Sequence, residues 1–370
     1  MVKIGIDARL IYYSPGGTAE YARHLIHALS TLDHDTRYYA IQHVRDASSL
    51  AHEPDVRRIN TITPCHHRLE RWSLSVELAR YRLDLLHSPD TIPPQRGARR
   101  HIITIHDLHY LHYPQFMTAD SRRHYKGQIA WAVQAADHIL VSSRATQTDL
   151  ANLLNVPAEK VTVHMLGVDS TFMPLPNDVV QQTREQLGLP ESYILFVGTF
   201  EPRKNIPGLM KAYARLRGNL PDAPPLVMVG RRGWLYDEIF QTVEALNLAD
   251  SIIWLEDAPY AALPAIYNGA AVLVLPSHYE GFGLTALEAM ACGTPTVVAN
   301  RSSLPEVVGD TGLLIDPDDP DAIADAIQRV LLESELRDHM RSAGLTRAAT
   351  FTWQRTAETT LAVYRAALSS

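Results

Sequence analysis

The sequence predicts an α/β fold of two Rossmann-like, doubly wound domains facing each other across a cleft. Three observations carry that expectation. At 370 residues the chain exceeds the size at which one hydrophobic core usually stops growing. Each half alternates apolar strand-like runs with helical segments, as parallel sheets require. Between the halves, residues 170–178 carry Pro174, Pro176 and Asn177 with little periodicity. Proline interrupts helices and sheet ladders alike, so a hinge is expected there with a boundary near 172. The two domains are then 1–172 and 173–352.

The front half opens with the run VKIGID and a helix over about 18–30, followed by DLLHS, HIITIH and HILVSS with helices between them. The back half repeats the pattern with YILFVG, LVMVG, IIWL, AVLVLP and TVVA. A last helix, 353–368, follows no strand. Its apolar residues at 357, 361, 362, 364 and 367 give it a face to bury, and the pattern alone leaves open which domain receives it. Open α/β sheets bind ligands beyond the carboxyl ends of their strands, so the chemistry is sought there.

Composition narrows the class. Nearly half of the chain is apolar and a fifth is charged, which is ordinary for a globular protein. Residues 1–170 hold 19 Lys plus Arg against 17 Asp plus Glu, and the remainder hold 15 against 24. That balance argues against general nucleic-acid binding, which needs a concentrated basic face. The first residues do not resemble a signal peptide, and no apolar run approaches the roughly 18 residues of a membrane span, so a cytoplasmic protein is expected. The two cysteines, Cys65 and Cys292, are read as reduced and structural.

The strongest local signal is 271–299, AVLVLPSHYEGFGLTALEAMACGTPTVVA. A strand runs into a loop with Gly281 and Gly283, then a short helix. Glu280 lies in the loop and Glu288 in the helix among Leu284, Ala286, Leu287, Ala289 and Met290. A carboxylate on so apolar a helix needs a partner, and sugar or ribose hydroxyls are suitable donors. The glycines admit close backbone approach, and amides from Phe282 to Thr285 at a helix N-terminus suit an anion. A solvated loop acid and a surface helix stripe remain the competing account.

A second signal is 196–209, where a strand ends at Gly198 and Arg203 and Lys204 precede a helix near Pro207. A planar guanidinium and a compact ammonium together can hold a diphosphate, although a basic pair in a loop is often merely solvated. A third is Gly16 with Gly17 between the first strand and first helix, without the GxGxxG pattern, so a plain turn competes. A fourth is His106 with Asp107 after HIITI, where an imidazole can exchange a hydrogen bond with a sugar hydroxyl.

Metal sites have weaker support. His109 and His112 are spaced by three but no recognisable ligand set completes them. Asp316, Asp318 and Asp319 resemble an acidic metal motif, yet they directly precede a helix whose free amides acids cap. Capping is the preferred reading, and no metal is expected to be required. A helix around Leu69, Trp72, Leu74, Val76 and Leu78, flanked by Arg68, Arg71, Arg80 and Arg82, either rests on an anionic membrane or simply faces water.

The E-x7-E pair Glu280 and Glu288, the Gly16-Gly17 loop, the HDL tripeptide 106–108 and EPRKN at 201–205 occur in an order that resembles retaining glycosyltransferase family 4, whose fold is GT-B. The resemblance runs from Val2 to Tyr364 and is nearest to mannosyltransferases of bacterial polysaccharides. It implies that the last segment, 353–370, returns to the N-terminal domain, which receives a glycan or lipid-linked acceptor. The C-terminal domain holds a nucleotide sugar, GDP-mannose first and a UDP-sugar next, with no cofactor. By the same resemblance Arg203 and Lys204 bind the donor phosphates, Gly16, Gly17, Gly198, Gly281, Phe282, Gly283 and Leu284 line the diphosphate, and Glu288 binds the ribose. Glu280 contacts the transferred sugar and His106 sits over the reacting centre. A sugar-nucleotide epimerase, a phosphorylase, and a nucleotide-sugar binding protein without turnover are the alternatives.

Overall fold

The computed structural model describes residues 1–13, 16–51, 56–90, 92–117 and 119–369, the stretch 119–126 by its backbone alone. Ser370, the end of the expected 353–370 segment, lies outside them. The described chain forms two compact units.

The first unit contains a seven-stranded sheet: β1 (Val2–Asp7), β2 (Thr36–His43), β3 (Val56–Thr61), β4 (Leu83–Ser88), β5 (Ala98–Ile105), β6 (His138–Val141) and β7 (Val161–Val163). All neighbours are parallel in the order β3-β2-β1-β4-β5-β6-β7. The second unit contains β8 (Ile194–Val197), β9 (Leu226–Val229), β10 (Ile252–Leu255), β11 (Val272–Leu275), β12 (Thr296–Ala299) and β13 (Leu313–Ile315), parallel in the order β10-β9-β8-β11-β12-β13. Strands β8, β9, β11 and β12 are buried at every residue, which is why they read as unbroken apolar runs. In each sheet the strand order reverses once, between β1 and β4 and between β8 and β11. Such a reversal opens a crevice at the strands' carboxyl ends.

The boundary differs from the expected one. The chain leaves the first unit after Gly167, and the proline-bearing stretch belongs wholly to the second. Asn268 explains this: its Oδ1 accepts from the Leu175 amide at 2.9 Å and its Nδ2 donates to the Met173 carbonyl at 2.9 Å. Residues 113–117, expected in the first domain, also group with the second. There Trp234 Nε1 donates to the Phe116 carbonyl and the Tyr113 hydroxyl to the His278 carbonyl.

The final helix, Trp353–Ser369, packs on helix Gly17–Leu32 of the first unit, as the resemblance implies. It buries Thr356, Ala357, Thr360, Leu361, Val363 and Tyr364; of the apolar positions expected on its buried face, Ala357, Leu361 and Tyr364 are buried, Ala367 is half-buried and Ala362 is exposed. A Cβ at Gly167 would lie 2.2 Å from the Trp353 amide nitrogen, so only glycine lets the chain pass here.

Candidate active site

In the second unit the two loops at the sheet reversal meet. The loop after β8 carries Gly198 to Lys204, and the loop after β11 carries Ser277 to Gly283. Pro202–Lys204 forms a single 3₁₀ turn, and Asn205, at φ 52°, redirects the chain into helix Ile206–Asn219. That turn aims both cations at Glu280. Lys204 Nζ donates to Glu280 Oε1 at 2.6 Å and Arg203 Nη1 to Glu280 Oε2 at 2.9 Å. Ser277 Oγ adds a bond to Oε1 at 2.7 Å, while Arg203 also reaches Glu201 Oε1 at 2.5 Å and the Tyr279 carbonyl at 2.8 Å. Gly198 lies against Lys204, its would-be Cβ 3.5 Å from Cε.

Glu280 is 7% exposed and Lys204 8%. Burial pushes the Glu280 carboxyl up, but Lys204 and Arg203 outweigh it and hold the group down to about 2. A carboxyl depressed in the folded state adds stability above its unfolded value and loses it as pH falls toward the folded one. Unfolding midpoints of the wild type and Glu280→Gln are therefore expected to converge as pH drops from about 4.5 to about 2. A gap that stays constant in a thermal-unfolding series over that range refutes the coupling.

Glu280, expected beside the transferred sugar, thus directs both carboxylate oxygens to the cations expected at the phosphates. Ser277, its other partner, and Glu201, the second carboxylate on Arg203, are not among the site residues singled out in the sequence, nor is Ser302, whose Oγ accepts from the Glu280 amide at 2.8 Å. The only signal available for them was their place in the loops after β8, β11 and β12.

The glycine loop then enters helix Leu284–Ala291. Gly283 precedes it at φ +104°, a left-handed conformation that side chains resist, and no side chain caps the helix. The first amides of a helix lack intrahelical acceptors, so those of Leu284 and Thr285 point outward from the same loop as Gly281, Phe282 and Glu280. Glu288 is half-buried, and its Oε2 accepts from the buried Tyr267 hydroxyl at 2.7 Å. This bond fixes its position at the helix.

In the first unit, His106 directly follows β5. The Pro89 carbonyl accepts from its ring, and Nε2 is buried without a hydrogen-bond partner among the described residues. With the proton on Nδ1, Nε2 keeps a free lone pair. Burial holds this imidazole below its ordinary pKa, with Asp90 and Asp107 pulling the other way, so the ring is neutral near pH 7. Its ring meets Tyr21 edge-on, centroids 4.8 Å apart. Beneath lies a chain absent from the sequence reading: Tyr364 hydroxyl to His87 Nδ1 at 2.6 Å, His87 Nε2 to Thr104 Oγ1 at 2.7 Å, and Thr104 Oγ1 to Tyr21 hydroxyl at 2.9 Å. Burial pushes His87 down to about 3, so it too is neutral. Gly17 begins helix Gly17–Leu32 and Gly16 is extended before it, where a Cβ would meet nothing within 4 Å.

The acidic segment caps as expected: Asp319 Oδ1 accepts from the amides of Asp321 and Ala322 at 3.0 and 3.1 Å. Asp316 and Asp318 face Arg301. His109 and His112 pair separately, with Asp107 at 2.6 Å and Asp149 at 2.8 Å, and among the described residues no three His, Cys, Asp or Glu side chains cluster for a metal. Both cysteines are free, and burial raises both thiols, Cys292 to about 12. No helix of the described residues is long and apolar enough to cross a membrane.

Two doubly wound parallel sheets, each with a polar constellation at its reversal, define a GT-B architecture. Solved structures share it: sucrose-phosphate synthase from Thermosynechococcus elongatus aligns over 99% of this chain and 98% of its own with a TM-score of 0.79 at 24% identity. WaaG, a glycosyltransferase involved in lipopolysaccharide biosynthesis, aligns over 98% and 99% with a TM-score of 0.77 at 16% identity. The family model for glycosyltransferase family 4 matches residues 15–172, and that for glycosyl transferases group 1 matches 179–347. O-antigen chain mannosyltransferase B of Escherichia coli is 35% identical over 301 residues, 81% of this chain and 78% of its own. D-inositol 3-phosphate glycosyltransferase of Thermobifida fusca is 32% identical over 310 residues, 77% and 70%. The chain belongs to glycosyltransferase family 4.

Proposed function

We propose that this glycosyltransferase is a metal-independent, retaining hexosyltransferase that moves mannose from GDP-mannose to a glycan or lipid-linked acceptor in polysaccharide biosynthesis. The observation that carries the reading is the cluster of Lys204, Arg203 and Glu280 beside an uncapped helix N-terminus at the sheet reversal. As the donor's anomeric C–O bond breaks, its electron pair passes to the diphosphate. Lys204, Arg203 and the amides of Leu284 and Thr285 meet that charge, and because Glu280 holds the cations in place little reorganisation is needed. Glu288 receives the ribose hydroxyls, while Gly281, Phe282 and Gly283 let the diphosphate approach the backbone. Gly16 and Gly17 give the same freedom in the first unit. His106 offers its neutral Nε2 to a hydroxyl of the transferred sugar. The acceptor oxygen bonds to the anomeric carbon on the face the phosphate leaves, and the phosphate takes its proton.

The mannosyltransferase relative supports mannose; a UDP-sugar is the second choice. A screen of nucleotide sugars for release of free nucleoside diphosphate, with and without acceptors, tests the proposal. GDP release from GDP-mannose is expected, rising with an acceptor and unchanged by EDTA, with an α-linked product by NMR. Donor converted without release indicates an epimerase, and binding without release a non-catalytic protein. Activity lost to EDTA and restored by manganese overturns metal independence.

The proposal includes a place at the inner face of an anionic membrane. Helix Glu70–Leu78 buries Leu74 and Leu78 but leaves Leu69, Trp72 and Val76 at 60%, 59% and 77% exposure, with Ile62 nearby at 71%. Glu77 links Ile62 to this helix by accepting from its amide at 2.8 Å. Residues 56–100 carry nine arginines against four acids in a chain of net charge −7. An apolar row rimmed by arginines suits anionic lipid. Co-sedimentation with phosphatidylglycerol vesicles at low salt is expected, with about tenfold weaker binding for Leu69→Ser/Trp72→Ser. No binding by the wild type dismisses the membrane contact.

A further inference from the structure

At the reversal of the first sheet, the carboxyl ends of β1 and β4 enclose a recess of about 20 Å³, lined by Asp7, Arg9, His66, Glu70, Ser88 and Asp90 among others. That volume admits one water or one hydroxyl group. Its walls are charged, and the cationic side chain is already engaged within the wall. Arg9 is 1% exposed, and each of its three nitrogens has a partner: Nε binds Asp7 at 2.9 Å, Nη1 the Thr63 carbonyl at 2.9 Å, and Nη2 both Asp7 and Glu70 at 2.6 Å. The second Glu70 oxygen accepts from the His66 amide at 2.7 Å, and the His66 ring bonds Asp90.

Three acids thus surround one guanidinium and one imidazole, both already engaged. A phosphate entering here would meet net negative charge and no uncommitted cation among the described lining residues, so its desolvation would go uncompensated. One polar group does remain unsatisfied. Ser88 Oγ is in a residue 2% exposed, lines the recess, and has no hydrogen-bond partner among the described residues. Pro89, between Ser88 and Asp90, is the residue whose carbonyl orients His106. The recess therefore adjoins the one imidazole of the first unit assigned to the reacting sugar.

We infer that this recess takes a hydroxyl or hydroxymethyl arm of a neutral acceptor sugar, bound by Ser88 Oγ, and rejects acceptors that carry phosphate there. The inference rests on the glycosyltransferase reading and names its acceptor class. It separates the two kinds of relative: the acceptor resembles a sugar chain end rather than an inositol phosphate.

Ligand-observed NMR on the full chain with saturating GDP tests it, using methyl α-D-mannopyranoside, D-myo-inositol 3-phosphate and inorganic phosphate as probes. Methyl mannoside is expected to bind, undisplaced by inorganic phosphate and more tightly than the inositol phosphate. Ser88→Ala should weaken it about tenfold, the equivalent of one hydrogen bond, and Ser88→Val, which fills the recess, at least as much. GDP affinity and the unfolding midpoint of Ser88→Ala serve as controls and should match the wild type. Tighter binding of the inositol phosphate, displacement by phosphate, methyl mannoside affinity unchanged in both variants, or no signal from methyl mannoside each overturns the inference. Failure to bind GDP or release it from any donor strikes the glycosyltransferase reading instead, because the sugar arm can be repeated without nucleotide.

Discussion

Lys204→Met is expected to lower turnover by about two to three orders of magnitude, the usual loss when a group stabilising transition-state charge is removed. It should also destabilise the second unit. The substitution leaves the buried Glu280 carboxylate with Arg203 and Ser277 but without its shortest ionic partner, at 2.6 Å. Breaking a buried pair from one side costs about 3–5 kcal/mol, and the remaining Arg203 bond places the expectation at the lower end. The double variant Lys204→Met/Glu280→Gln removes the stranded charge, so its unfolding midpoint should recover most of the loss while turnover stays low. Thermal unfolding beside the nucleoside diphosphate release assay separates the two effects. Near-normal turnover in Lys204→Met removes the lysine from the mechanism, and a double variant no more stable than the single one shows that stability does not run through this pair.

Tyr364→Ala is expected to cost the first unit about 3–5 kcal/mol, since it opens a cavity at a fully buried aromatic. Tyr364→Phe keeps the ring and removes only the hydroxyl. It leaves His87 Nδ1 buried without its partner, for about 1–3 kcal/mol. Calorimetry should show an early transition for the first unit, deeper for alanine than for phenylalanine, with the second unit unmoved. Equal midpoints for phenylalanine and the wild type would mean that the hydroxyl is incidental. Turnover should fall with Tyr364→Phe by less than with Lys204→Met, because Tyr364 reaches His106 only through His87, Thr104 and Tyr21.

The most legible strands were unbroken apolar runs, most of them covered on both sides; the edge strand β10 was legible as IIWL, whereas the inner strand β2, with polar residues among its apolar ones, was not. Ile194–Val197 and Val272–Leu275 are unbroken apolar runs because each is buried at every residue. Strands β3, β7 and β13 lie at sheet edges and are short or interleaved with polar residues such as Arg57 and Arg58, so no pattern announced them. At the candidate site, Arg203, Lys204 and Glu280 were singled out because each stands in a loop after a buried strand. Their mutual pairing was not legible, since it joins residues 76 and 77 apart through a sheet reversal that only the strand order reveals. The same holds for Arg9 and Glu70, 61 apart, and for His87 and Tyr364, 277 apart. Hydrogen bonds of that separation leave no local trace.

The returning helix makes the second unit an insertion within the first. During synthesis, residues 168–351 are complete before Thr352 onward leaves the ribosome, whereas the first sheet, although made first, must wait for Tyr364 to seal His87 and for Thr360 to reach His164. Domains generally mature in the order in which they are made. Here the order inverts, and the N-terminal half stays open to chaperones and proteases until the returning helix has been made. Ribosome-bound chains stalled before the last helix should therefore yield a protected second unit and a protease-sensitive first one.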